Sequence, residues 1–139
     1  MSNVQEELET LTAQLNDLCG YVHARNVAAG WWTDPFTKED LRGVDEFGRP
    51  KRDLLNLLML VVTEVAEAAE GVRKNLNDDK LPHRKMFEVE LADVFIRIFD
   101  IAGAHKLDLA GAIVEKIAYN AVRPDHKLEN RLKADGKKF

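Results

Sequence analysis

Leu54-Leu55-Asn56-Leu57-Leu58-Met59-Leu60-Val61-Val62-Thr63-Glu64-Val65-Ala66-Glu67-Ala68 is the stretch whose reading decides the fold. It has no strict apolar–polar alternation and holds neither glycine nor proline, so it reads as a helix rather than a half-buried strand. Asp53 is a plausible N-cap, and the helix is predicted to run from Leu54 to about Asn75. Before its acids begin, the segment is apolar nearly all round. No single neighbour within 139 residues covers such a surface, which predicts a dimer or a larger assembly that buries it.

Outward from this helix, three more are predicted. Leu8, Leu11, Leu15, Leu18 and Val22 recur at steps of three and four and mark an amphipathic helix from about Val4 to Arg25. A third covers about Lys85 to Ala104, with Gly103 near its end. The fourth begins near Asp108, a second N-cap candidate, and runs to Val122, where Pro124 interrupts it. Residues 26–52 form a long loop containing Gly30, Gly43, Gly48, Pro35 and Pro50, with a short helical turn near Lys38 to Arg42. The basic tail 128–139 is expected to be loosely held. No repeat, strand pattern or domain boundary interrupts residues 1–139. The class is all-α: a four-to-five-helix bundle in one domain.

Composition narrows the function classes. A net charge of −4 is too mild to draw the chain to nucleic acid or to anionic lipid. Cys19, the only cysteine, excludes an internal disulfide and fits a reducing cytosol. The first residues carry no basic-then-apolar leader, and the longest apolar run, Leu57 to Val62, falls far short of the roughly 20 residues a membrane span needs. A cytoplasmic protein without a membrane partner is expected.

The chemistry sits in two carboxylate pairs, Glu64 with Glu67 and Glu90 with Asp93, each spaced three apart. Residues at i and i+3 share a helix face, so each pair aims two acids one way. If the second and third helices pack antiparallel, four acids converge. Four adjacent carboxylates repel one another, and a hard divalent cation relieves that conflict. A lone pair of this kind is commonly just a solvated face, but two matched pairs on consecutive apolar helices are harder to explain so. Arg97, four residues after Asp93, leaves one ordinary intrahelical ion pair open. No glutamate has a histidine three residues later, which argues against a di-iron site. His23, His83, His105 and His126 lack zinc-site spacing and read as surface or loop histidines.

Lys116, Asn120 and Arg123 follow at steps of four and three, on one face of the fourth helix. They read either as a solvated basic stripe or as phosphate ligands. Arg73, just after the first acid pair, is a further phosphate candidate. Trp31 and Trp32 offer flat faces to a nucleobase or pack as a hydrophobic lid.

Together, Glu64-x-x-Glu67, 22 intervening residues, Glu90-x-x-Asp93, then Lys116-Ile117-Ala118-Tyr119-Asn120 and Arg123 resemble the all-α nucleoside triphosphate pyrophosphatases, specifically the MazG-like branch. The resemblance spans about residues 15–127. It implies Mg²⁺-dependent hydrolysis between the α and β phosphates of a nucleoside triphosphate, giving a monophosphate and pyrophosphate, with Mn²⁺ as a substitute ion. By the same resemblance Glu64, Glu67, Glu90 and Asp93 hold the metal, and Glu67 or Glu64 orients or deprotonates the attacking water. Lys116, Arg123 and Arg73 stabilise phosphates, Asn120 contacts the sugar or a phosphate oxygen, and the protein assembles as a homodimer or homotetramer. Two adjacent tryptophans lean the base toward a purine such as that of dGTP or GTP. The competing class is non-catalytic: a helical interaction protein, whose stability would not respond to Mg²⁺, or a nucleotide-binding protein with the same site but no turnover.

Overall fold

The computed structural model describes residues 2–137, and the architecture is all-helical. Among the described residues five α-helices occur in order: α1 (Ser2–Ala28), α2 (Leu54–Lys74), α3 (Met86–Ala104), α4 (Leu109–Val122) and α5 (Leu128–Arg131), with a 3₁₀ turn at Pro124–His126 between the last two. Among the described residues there is no strand, only isolated bridges such as Thr33 with Asp40 and Val44 with Pro50. Among the described residues no helix is long and apolar enough to cross a membrane.

The chain divides into two compact units. One comprises Asp17–Leu107, and the other the residues before Asp17 with those from Asp108 on. In the first unit α2 and α3 form an extensively packed helical hairpin. Asp53 caps α2 by accepting from the Leu55 N–H at 2.9 Å, as its position in the sequence predicts. The helix ends where Asn75 takes the left-handed conformation (φ 52°) and its N–H returns to the last turn. A bridge between Asn77 and Lys85 then reverses the chain. Leu57, Ala68, Val94 and Phe99 are buried, and full burial of a Leu, Val or Phe side chain contributes roughly 1.5–3 kcal/mol. Gly71 lets the helices approach here: a Cβ on it would lie 3.0 Å from the Phe87 amide nitrogen.

The opposite face of α2 is uncovered. Leu55, Leu58, Met59, Val62 and Val65 are all exposed, which is the surplus of apolar surface expected from the sequence.

Residues 29–53 hold no helical turn at Lys38–Arg42, contrary to expectation. Asp34 accepts the Phe36 and Thr37 N–H groups, and Lys38 turns into the left-handed region (φ 64°), breaking any helix there. Asp45 organises a second turn through Phe47 and Arg49.

In the second unit Asp108 caps α4 through the Gly111 N–H at 2.9 Å. The tail is more ordered than its composition suggests. Pro124 opens the 3₁₀ turn, and Asn130 Nδ2 donates to the Pro124 carbonyl at 2.8 Å, holding α5 against it. Residues 138–139 lie outside the described residues.

Candidate functional site

A helix turns about 100° per residue. Leu57, Leu60, Glu64, Glu67, Ala68 and Gly71 therefore fall on one stripe of α2, and Glu90, Asp93, Val94, Arg97, Asp100 and Ile101 on one stripe of α3. These stripes face each other in the hairpin. Carboxylate oxygens of Glu64, Glu90 and Asp93 come within 4.8 Å of one another. Glu64 and Glu90 are buried, and Asp93 is half-buried. Glu67 is exposed but lines the same cavity, so the sequence-predicted quartet divides into a close trio and one outlying member.

The cavity has a volume of about 740 Å³. That lies within the range of small-molecule sites. Its walls carry the four acids together with Asp78, Lys80, Arg97, Asp100, Arg52 and Trp31. Burial pushes the Glu90 carboxyl up to about 7, assisted by a hydrogen bond to Glu64 and by the negative charges of Glu67, Glu64 and Asp93. Asp93 is also raised, by burial first and then by the Glu64 charge, with Arg97 and Lys80 pulling the other way.

Arg97 does not form the intrahelical pair with Asp93 that its spacing allows. Its Nε and Nη2 both reach Glu64 Oε1 on α2, each at 2.5 Å. An arginine is long enough to cross the hairpin, and the buried Glu64 is the acid in greater need of a counter-charge. Among the described residues Glu90 forms no ion pair. Three crowded carboxylates sharing one guanidinium suit a hard cation with oxygen ligands.

Comparisons with protein-family profiles, curated proteins and solved structures find no match.

The two tryptophans part company. Trp32 is 2% exposed and packs with Leu57 and Ile101 at the centre of a hydrophobic cluster, so its ring is a core element rather than a free stacking face. Its Nε1 donates to both oxygens of Asp100, at 2.9 and 3.1 Å. Trp31 is 67% exposed and lines the cavity. Arg52 joins them, donating to the Trp31 carbonyl at 3.0 Å while its guanidinium stacks 4.8 Å over the Trp32 ring.

Arg73 is not among the cavity-lining residues. It stands nine residues after Glu64, about 180° around the helix, and pairs with Glu70 at 2.7 Å. Lys116, Asn120 and Arg123 belong to the second unit. Lys116 Nζ lies 4.9 Å over the Tyr119 ring. The Oδ1 atom of Asn120 is buried without a hydrogen-bond partner. Arg123 does not extend their helical stripe: α4 ends at Val122, because Pro124 forces Arg123 into extended backbone, where it pairs with Asp125 at 2.5 Å.

One histidine differs from the surface-or-loop reading. His23 Nδ1 sits 2.7 Å from Asp100 Oδ1, and a carboxylate acceptor there calls for the Nδ1–H tautomer. His105 closes α3 with its Nε2 buried and unpartnered. Sequence reasoning also passed over Asp78, Lys80 and Asp100. Asp100 had a legible signal, since it lies ten residues after Glu90 on the same α3 stripe. Asp78 and Lys80 had none, being placed by the turn between the helices.

Proposed function

We propose that the chain is a Mg²⁺-dependent nucleoside triphosphate pyrophosphohydrolase of the MazG-like all-α type, cleaving between the α and β phosphates. The observation that carries this reading is the trio of Glu64, Glu90 and Asp93, clustered within 4.8 Å in a cavity large enough for a nucleotide. Burial first, and the neighbouring acids after it, raise the Glu90 carboxyl, and a bound cation would offset both. Glu64, Glu90 and Asp93 would hold the ion. When bound, Mg²⁺ supplies charge neutralisation at the phosphates and acidifies water, and Mn²⁺ serves in its place.

Glu67, exposed at the edge of the trio, is free to orient the attacking water and take its proton. The water oxygen joins the α phosphorus as the bond to the bridging oxygen breaks, and pyrophosphate leaves. Trp31 offers its exposed ring to the base, and a large ring favours a purine such as that of dGTP or GTP. Phosphate and sugar contacts are assigned to Lys116, Asn120 and Arg123 from their sequence pattern alone. Arg73 is left out of that set because it faces away and is already paired.

The exposed α2 face of Leu55, Met59 and Val62 supports a homodimer or homotetramer, and light scattering giving a monomer at micromolar concentration would exclude that assembly. The deciding experiment is pyrophosphate release from the eight common NTPs and dNTPs, with Mg²⁺ and with EDTA. Release of monophosphate and pyrophosphate only with Mg²⁺ supports the reaction. No release from any of them sinks it for the common nucleotides.

A further inference from the structure

We infer that Arg97 is a built-in counter-ion that occupies the metal site's charge in the free protein and moves to substrate phosphate when metal and nucleotide bind. The inference rests on the metal–phosphate reading above and assigns Arg97 a substrate-binding role within it. Both Nε and Nη2 of Arg97 converge on a single oxygen, Oε1 of Glu64, which belongs to the carboxylate trio. Glu64 is buried on α2, whereas the Arg97 side chain is 40% exposed and lines the cavity. The anchor is thus fixed and the cation has room to leave.

Electrostatics sets the direction. The trio holds three carboxyl groups in a small volume, and Arg97 is the cation directly bonded to one of them. A divalent ion arriving at Glu64 is repelled by the guanidinium and competes with it for the same oxygen. Removing that positive charge therefore tightens binding of a bare metal ion. A triphosphate reverses the balance, because a guanidinium displaced from a carboxylate finds an equivalent forked acceptor in a phosphate. Metal and nucleotide then favour one another, each offsetting the cost of freeing Arg97, and thermodynamic linkage makes that coupling reciprocal. The free protein binds metal weakly and assembles its site when both arrive.

The test separates this role from a structural one by the sign of two effects. Mn²⁺ binding alone is measured by calorimetry on the wild-type protein, Arg97→Met and Arg97→Lys, with circular dichroism to verify the fold. Arg97→Met, which keeps the apolar stem, is expected to bind Mn²⁺ about tenfold more tightly. The same variant is expected to bind an α,β-methylene nucleoside triphosphate about tenfold more weakly at saturating Mg²⁺. Arg97→Lys keeps the charge without the fork and should stay near wild type for Mn²⁺ while weakening the nucleotide. If Arg97 merely holds Glu64 in place, its loss weakens Mn²⁺ binding, and that result overturns the inference. So does an unchanged nucleotide affinity. Absence of Mn²⁺ binding by wild type and both variants overturns the metal-site reading itself, and the inference with it.

Discussion

Trp32 and Asp100, 68 residues apart, are joined by two hydrogen bonds from one indole N–H to both oxygens of a buried carboxylate. His23 Nδ1 meets one of those oxygens as well, with its ring set edge-on to the indole at 5.6 Å. Asp100 therefore ties the end of α1 and the start of the following loop to α3. Because Trp31 precedes Trp32, the same tie places the exposed indole at the cavity.

Asp100→Ala leaves the buried Trp32 donor and the half-buried His23 donor without an acceptor. Such losses cost about 2–4 kcal/mol when a hydrogen-bonded buried charge is removed, and the variant is expected to unfold at markedly lower denaturant concentration. An unchanged urea midpoint would show that the tie contributes no stability.

Metal-free stability should fall between pH 5 and pH 8. Folded Glu90 keeps its proton up to about 7, whereas an unfolded glutamate releases it near the ordinary 4.5. Across that window the folded state binds more protons, so raising the pH favours unfolding until both states are ionised. The raised Asp93 acts in the same direction. Glu70, lowered to about 2 by its hydrogen bonds to Arg73 and Lys74, has the opposite sign but acts below pH 4.5. In EDTA the Tm is expected to drop on the order of 5 °C from pH 5 to pH 8. Glu90→Gln should flatten that slope; a variant that keeps it locates the titration elsewhere.

Substituting the two tryptophans should give different phenotypes. Trp31→Ala removes an exposed ring from the cavity wall and is expected to raise KM about tenfold, as loss of one base–aromatic stack would, with Tm unchanged. Trp32→Ala empties a core position, a change that costs roughly 3–5 kcal/mol. Equal KM values for Trp31→Ala and wild type would remove Trp31 from base recognition.

Gly103→Ala tests the contact between α1 and α3. An added Cβ would stand 2.5 Å from the Cβ of His23, too near for any rotamer change to relieve. The helices must separate, which costs about 1–3 kcal/mol and outweighs the gain of up to about 1 kcal/mol that alanine brings to a helix interior. Thermal unfolding at or above the wild-type Tm would contradict this geometry.

How much of this was legible beforehand depended on range. The α2 helix was read as 54–75 and found as 54–74, because capping by Asp53 and the apolar run are local properties of neighbouring residues. The i, i+3 spacing of Glu64 with Glu67 and of Glu90 with Asp93 placed each pair on a helix face for the same reason. Gly103 was read as lying near the end of α3 and does, but it is also the point where His23 crosses. Nothing in its immediate neighbours announces that contact.

By itself, then, the sequence determined the helical class, the four main helices and the acids that α2 and α3 present, since each follows from hydrogen bonds and periodicities spanning a few residues. Only the tertiary structure decided that Arg97 would reach Glu64 rather than Asp93, that Trp32 would be core while Trp31 lined the cavity, and that Asp100 would hold Trp32 and His23. These choices arise from which groups must share a buried space. Desolvation there decides between partners that spacing along the chain leaves equally available.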